Sequence, residues 1–521
     1  MHPKCRTLET MKKTILISML ALVCSMASSQ TSGRIEDMLP DAGVFAVDET
    51  MLLECYPQAG IKPIQRPNIQ REAFSHSLQF HFTPNNTSTP DFLIIIPQSL
   101  YNSLVSEIRR YAEDVHAVYG YGIYVETTVN DTPEDLRSLI QSYQNNLHGV
   151  IFIGDLSECI FEIDVDYHNP DYGYRNWPCD LYFMDLDGTW TDSDNNGIYD
   201  QHTGNTSPEI FFGRLSAEGM LSMGSETLLI RSQLQKSHDF WWKSSYNAAD
   251  TVLNHIGIDW INNFLPEYIS PAIPSGLVDD IRYNNPVYSK ADYLDRLTHD
   301  GYAFTHLAAH SNPLRHRLCD SSQCVNVNHI VFVNDIKQHH SYNGAYNLFC
   351  CSACNWLGAS ADGYLGGAYL FDGLKTMAVV GSTKTGGMLR QGMFYSQFAT
   401  KNIGEAFTYW FGHHGFGNYY EGQWEFISWS YGMTILGDPT IKLWHSVSDL
   451  CQQNLSLTSY PSANQSNLVM FKAGQRITVS SSFTIPQGVH VIFDAPEVVF
   501  ENGFLCPAGA TFETRNEGCE L

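Results

Sequence analysis

From Asp91 onward the hydrophobic positions follow two alternating rhythms. A continuous apolar run, Phe92-Leu93-Ile94-Ile95-Ile96, gives way to Leu104, Val105, Ile108, Tyr111, Ala112, Val115 and Val118, spaced mostly three and four apart. The first pattern predicts a strand buried on both faces, and the second an amphipathic helix. The pair recurs as a strand over 121–128, a helix over 133–143 and a second apolar strand, Val150-Ile151-Phe152-Ile153, closed by Gly154-Asp155. Strand, helix, strand, helix, strand predicts an α/β fold with a mostly parallel sheet flanked by helices.

The same grammar resumes after a long helix around 225–242, with a helix near 290–299 and strands over 302–308, 346–351 and 376–381. Two α/β subdomains, about 91–222 and 223–445, or one extended sheet fit this pattern equally. Residues 31–90 are polar and weakly periodic, and read as an N-terminal extension or pro-segment. Near residue 446 the helix signal stops and short β-prone runs begin, so 446–521 reads as a small C-terminal all-β module. Within it Phe483-Thr484-Ile485-Pro486-Gln487-Gly488 and Phe504-Leu505-Cys506-Pro507-Ala508-Gly509 repeat Phe, Pro and Gly 21 residues apart. A β-solenoid or an ordinary β-sandwich would satisfy that repeat.

The chain's beginning changes the picture of where it works. Residues 1–30 hold Met11-Lys12-Lys13, an apolar run from Thr14 to Val23 and the small-residue stretch Ser25-Met26-Ala27. This is the layout of a secretory signal peptide whose true start is Met11, and it predicts a secreted or cell-surface protein. Lipid attachment at Cys24 is an alternative fate of the same segment. The run is too short to span a bilayer, and no later stretch reaches the roughly 20 apolar residues required, so no membrane span is expected. With 43% hydrophobic and 16% charged residues, the 521-residue chain is expected to fold into several domains. Thirty Lys and Arg stand against 55 Asp and Glu, and the net charge of −25 repels nucleic acid and anionic lipid. Proteins, peptides, glycans or cations are the expected partners, and no part of the pattern assigns an oligomeric state.

Two strand ends present reactive side chains, and ligands of parallel sheets bind at the carboxyl ends of strands. The strand over 302–309 delivers His310, followed by the turn formers Ser311-Asn312-Pro313; the strand over 346–350 delivers Cys351. A thiol beside an imidazole makes a nucleophile and base able to attack a carbonyl. Packing of a buried thiol and a structural hydrogen bond from the imidazole are the plainer alternatives. Of 13 cysteines, removing Cys5 and Cys24 leaves 11, an odd number, so at least one thiol stays unpaired. A disulfide or metal site among Cys350, Cys351 and Cys354 with Cys319, Cys324 or His316 is a further alternative. The spacing of Cys319 and Cys324 is loose for zinc and suits a loop disulfide better.

The stretches around this pair resemble the gingipain family of secreted bacterial cysteine peptidases, which have a caspase-like fold. The resemblance spans 91–445. It is carried by Phe304–His310 with Ser311, by Asn347-Leu348-Phe349-Cys350-Cys351-Ser352 and by Val379-Val380-Gly381-Ser382-Thr383-Lys384-Thr385-Gly386. Glu209-Ile210-Phe211-Phe212-Gly213-Arg214 and Leu436-Gly437-Asp438-Pro439 complete it. It implies a cysteine-type endopeptidase acting on proteins or peptides through a thioester, with His310 as general base, Cys351 as nucleophile, backbone N–H groups as oxyanion hole and no organic cofactor. The chain departs from the family in two places. Ser311 follows the histidine where gingipains tend to have Gly, and Ala353-Cys354-Asn355-Trp356 follows the cysteine where they tend to have a Gly-bearing turn. Cys354 thus becomes a rival nucleophile or disulfide partner. The departures also keep open a catalytically inactive gingipain-like cell-surface or binding protein. For a third group orienting the imidazole, Asp155, Asp180 and Asp185 lie near strand ends, and the sequence does not choose among them.

A second chemical signal lies in Asp192-Ser193-Asp194-Asn195-Asn196-Gly197-Ile198-Tyr199-Asp200. Oxygen side chains of Asp192, Asp194, Asn196 and Asp200 occupy positions 1, 3, 5 and 9, Gly197 stands at 6, and Ile198 at 7 offers its carbonyl, as at the start of a calcium loop. Thr203 replaces the acid at position 12, and the usual second helix is missing. A single structural Ca2+ is the expectation and a solvated Asx-rich turn the alternative. His413-His414 reads as a helix-ending loop, and Trp241-Trp242 as packing.

Overall fold

The computed structural model describes residues 73–83, 90–168, 173–246, 250–270, 273–282, 289–299, 301–318, 327–413, 423–461 and 466–521. Residues 1–30 with Cys24, and Cys319, Cys324 and His414, lie outside these residues. Among the described residues, eleven strands form the main sheet. In chain order they are β1 (Ser75–Phe82), β2 (Phe92–Pro97), β3 (Ile123–Val129), β4 (Gly149–Ile153), β5 (Phe211–Leu215), β6 (Thr251–Ile256), β7 (Leu277–Arg282), β8 (Phe304–Ala308), β9 (Ala345–Phe349), β10 (Ala378–Ser382) and β11 (Met433–Gly437). Their spatial order is β1-β3-β2-β4-β5-β11-β10-β9-β8-β6-β7.

The continuous apolar runs are strands covered on both sides. In β2, Leu93 and Ile95 enter one core cluster while Phe92, Ile94 and Ile96 enter the other. Helices α1 (Gln98–Tyr119), α3 (Glu226–Trp242), α4 (Ser289–His299) and α5 (Leu365–Asp372) add side chains to the second cluster; α2 (Pro133–Ser142) and α6 (Ile403–His413) add theirs to the first. Along α1 the buried stripe is Leu104, Ile108, Tyr111 and Val115, while Val105, expected on that face, is 45% exposed. One residue is about 100° of helix turn, which carries Val105 off the stripe. Gly120 ends α1 at φ 71°, its amide donating to the His116 carbonyl. Thr132 and Asp135 make a capping box for α2, with Pro133 at its first position.

Strand direction divides the sheet. The pairs linking β3, β2, β4, β5 and β11 are parallel, as are those linking β10, β9, β8, β6 and β7, but β10 and β11 run antiparallel. The two α/β halves expected from sequence thus share one sheet and run in opposite directions through it. Gly437 sits at their junction with φ 99°, where a Cβ would lie 2.2 Å from the Met377 carbonyl oxygen. Strand β1, from the segment read as an N-terminal extension, pairs antiparallel with β3 at the sheet edge.

The C-terminal module is a solenoid, not a sandwich. Its strands β12 (Gln452–Leu457), β13 (Leu468–Val479), β14 (His490–Asp494), β15 (Glu497–Phe500) and β16 (Thr511–Arg515) pair in parallel at a nearly constant offset. Leu468 faces His490, which faces Thr511, and Arg476 faces Glu497. Phe471, Phe483, Phe493 and Phe504 pack ring against ring along the coils. A Cys451–Cys519 disulfide closes the module, and Arg515 docks it onto α1 by a 2.6 Å ion pair with Glu113. Among the described residues, no helix is long and apolar enough to cross a membrane.

Candidate active site

Strands β8 and β9 are parallel neighbours, with His306 beside Asn347 and Ala308 beside Phe349. The chain therefore leaves both at the same sheet edge, and the Ala309 amide donates to the Phe349 carbonyl at 3.3 Å. Beyond β8, His310–Asn312 pairs antiparallel with Arg315–Arg317, which pairs with Ile330–Phe332. This small sheet fixes the segment carrying His310. Beyond β9 the chain turns at Ser352, whose φ is 54°. The turn is tied down on three sides. The Ser352 amide donates to the Lys384 carbonyl at 2.8 Å and the Cys354 amide to the Ser382 carbonyl at 3.0 Å. From the histidine side, Ser311 Oγ donates to the Cys351 carbonyl at 2.6 Å. The serine that departs from the family pattern joins the two strand ends.

Exposure separates the three clustered cysteines. Cys350 and Cys354 are buried, and burial pushes both thiols well above their ordinary range. Cys351 is half-buried, and all three are free of disulfides. Cys350 Sγ points inward to the Leu307 carbonyl. Of the three, Cys351 is the one open to solvent.

The imidazole's acidic partner is none of the three expected. His310 Nε2 lies 3.1 Å from Asp259 Oδ2, and the Trp260 ring packs 5.0 Å from the imidazole. Asp180 instead pairs with the buried Arg214 at 2.7 Å, and Asp185 with His202 at 2.5 Å. Asp155 follows β4, whose carboxyl end points to the opposite sheet edge because that half runs the other way. Asp259 follows β6 through Gly257-Ile258, so that, like His310, it lies within a few residues of a strand's carboxyl end. The polar Asn254 and His255 inside β6 interrupt the apolar run that would have revealed it.

Beside the turn that follows Cys351 lies Lys384, 4% exposed. Its Nζ bonds to Asp166 Oδ2 at 2.8 Å and to the carbonyls of Thr385 and Ser428 at 2.9 and 2.6 Å. The rings of Tyr167 and Trp177 also lie within about 5 Å of it. Burial lowers the ammonium's pKa, and Asp166 and Cys351 act against that shift.

The 192–200 loop lies largely at the surface and is hydrogen-bonded within itself. Asp192 accepts the amides of Asn196 and Gly197 at 3.1 and 2.8 Å, Asp194 also accepts that of Asn196, and Asn196 Oδ1 accepts that of Ile198. Asp200 accepts the Ser193 amide at 3.0 Å. Glu162, a buried carboxylate unmarked by the sequence pattern, meets the loop through Asn196 Nδ2 at 2.8 Å. Among the described residues, the acids whose oxygens converge within 4.8 Å are Asp185, Asp187 and Glu209, outside this loop.

Comparison with known proteins adds the chemistry's context. Residues 85–444 match the family model described as Peptidase family C25. A solved structure, the complex of Porphyromonas gingivalis RgpB pro- and mature domains, is similar at 11% identity and a TM-score of 0.46, over 70% of this chain and 84% of that one. Comparison with curated proteins returns no match.

Proposed function

This chain belongs to peptidase family C25, the gingipain family of cysteine peptidases, and on that premise we propose that it is a secreted endopeptidase with Cys351 as nucleophile and His310 as general base. One observation carries the reading: the half-buried Cys351 and the Asp259-bound His310 leave adjacent parallel strands at one edge and are joined there by Ser311. With Nε2 taken by Asp259, Nδ1 is the nitrogen to receive the thiol proton. The thiolate Sγ then attacks the scissile carbonyl carbon, forming a C–S bond and an oxyanion. Collapse breaks the C–N bond, and the imidazolium returns its proton to the leaving amine. Water, deprotonated by the neutral imidazole, hydrolyses the thioester and releases the carboxylate product and the thiol. Asp259, itself part-buried, holds the ring's orientation and stabilises the imidazolium, the usual part of a carboxylate behind a catalytic histidine. The amides of Ser352 and Cys354 are committed to Lys384 and Ser382, which removes them from the set of oxyanion donors.

The purified protein labelled with a mixture of peptidyl acyloxymethyl ketones is expected to carry a single adduct, mapped to Cys351 and lost in His310→Ala. An adduct on Cys354, or none under reducing conditions, overturns this assignment and leaves an inert binding protein as the better reading.

We also propose that the 192–200 loop holds a structural Ca2+ through Asp192, Asp194, Asn196, Asp200 and the Ile198 carbonyl. These are the hard oxygen donors calcium prefers, and the nearby Glu162 supplies the acid that Thr203 cannot. Adding a chelator should lower the melting temperature, and calcium should restore it; a melting curve indifferent to both would remove the ion.

A further inference from the structure

The segment that orients His310 is itself held in place. Between β6 and β7, Ile258–Trp260 form a single helical turn, from which Asp259 meets the imidazole's Nε2 and Trp260 packs on its ring. The stretch ends at Phe264, fully buried and at φ 56°, a conformation bulky side chains adopt only where their surroundings over-determine it. Two side chains do so here. The Phe264 carbonyl accepts Asn254 Nδ2 at 2.7 Å and Arg282 Nη2 at 2.8 Å. Arg282 Nη1 donates to the carbonyls of Ile261 and Asn263, both at 2.7 Å. Asp280 closes the ring, accepting Arg282 Nε at 2.8 Å and Asn254 Nδ2 at 2.7 Å. The parallel register of β6 and β7, which sets Asn254 beside Asp280 and Ile256 beside Arg282, brings these groups together.

We propose that Arg282, seconded by Asn254, is a positioning residue for the proton-transfer step: its guanidinium clamps the 261–264 backbone so that Asp259 and Trp260 hold His310 toward Cys351. The inference rests on the Cys351–His310 reading and deepens it. Arg282 sits on the sheet's edge strand with its side chain 18% exposed, and the carbonyls it binds all belong to this one loop. Its removal therefore frees the loop more than it disturbs the core. A lysine offers a point charge in place of a planar fork, and cannot span three carbonyls.

The test uses the full chain, with fluorescein-labelled casein for turnover and iodoacetamide alkylation of Cys351 at mildly acid pH for thiolate reactivity. Arg282→Ala should lower kcat roughly 10- to 100-fold, the cost of a displaced catalytic group, with KM little changed, and Arg282→Lys should recover part of the loss. The same substitutions should slow alkylation of Cys351. Because Arg282 acts in part through Asp259, adding Arg282→Ala to Asp259→Asn should cost clearly less than the two losses summed. If Cys351→Ala abolishes turnover but Arg282→Ala does not change it, or if the two losses simply add, the clamp is wrong and the peptidase reading stands. A wild type that neither cleaves casein nor alkylates at Cys351, or a Cys351→Ala variant that still cleaves, overturns both. Should Arg282→Ala fail to fold, Arg282→Lys decides, and an unchanged kcat there removes the clamp.

Discussion

Cys351 and Cys354 lie three residues apart, yet their surroundings give them opposite chemistry. Burial keeps Cys354 protonated behind the turn, whereas Cys351 stands half open beneath a serine hydroxyl that fixes its carbonyl. Removing that hydroxyl costs one hydrogen bond, about 1 kcal/mol, which corresponds to roughly a fivefold rate change if it is felt mainly in the transition state. Ser311→Ala should therefore lower kcat on labelled casein by about that factor, while Cys354→Ala, which trims a buried thiol, should leave turnover near wild type. The reverse ranking would move the nucleophile to Cys354. At this scale His310 and Cys351 were legible because each ends an apolar strand and precedes turn-forming residues. Asp259 was not, since β6 is broken by Asn254 and His255, whose side chains are buried by their neighbours and not by their own polarity.

Among the elements, the strands were the most readable and their directions the least. Continuous apolar runs announced β2 and β4, and three- and four-residue spacing announced α1, but nothing local states which way a strand runs beside a partner 200 residues distant. The junction of β10 and β11 is where that choice is made, and Gly437 permits it. An alanine there meets both a left-handed backbone and the Met377 carbonyl. Strain at such a site costs about 1–3 kcal/mol before any clash is counted, so Gly437→Ala should lower the unfolding free energy by at least about 1 kcal/mol, and by more to the extent that the Met377 carbonyl cannot move aside. Denaturant titration checks this, and a variant as stable as the wild type would show that the junction relaxes. The C-terminal repeat was visible as Phe, Pro and Gly 21 residues apart. That it winds as a solenoid followed only from the pairing of whole strands in parallel.

The whole molecule carries a net charge of −25 and buries several imidazoles in its interior. His255, His306 and His316 are fully buried, and burial pushes each down to about 3. An unfolded histidine titrates near 6.5. Between these limits the unfolded chain binds protons that the folded one refuses, so stability is complete above about 6.5 and drains away as pH falls toward 3. Thermal melts across that range should show a steady loss of stability on acidification, shallower in His316→Phe; a flat profile would contradict the burial of these rings. The amino-acid sequence by itself determined the α/β class, the alternating elements and the strand-end placing of His310 and Cys351, because each depends on the order of residues within one or two elements, and its composition set the acidic net charge. Tertiary structure alone decided that the two halves share a sheet with opposed directions, that Asp259 and not Asp155, Asp180 or Asp185 meets His310, that Arg282 binds the carbonyls of Ile261, Asn263 and Phe264, and that the Lys384 carbonyl accepts the Ser352 amide. Those contacts join residues tens to hundreds of positions apart, and chain-local periodicity carries no information about which distant strand will become a neighbour.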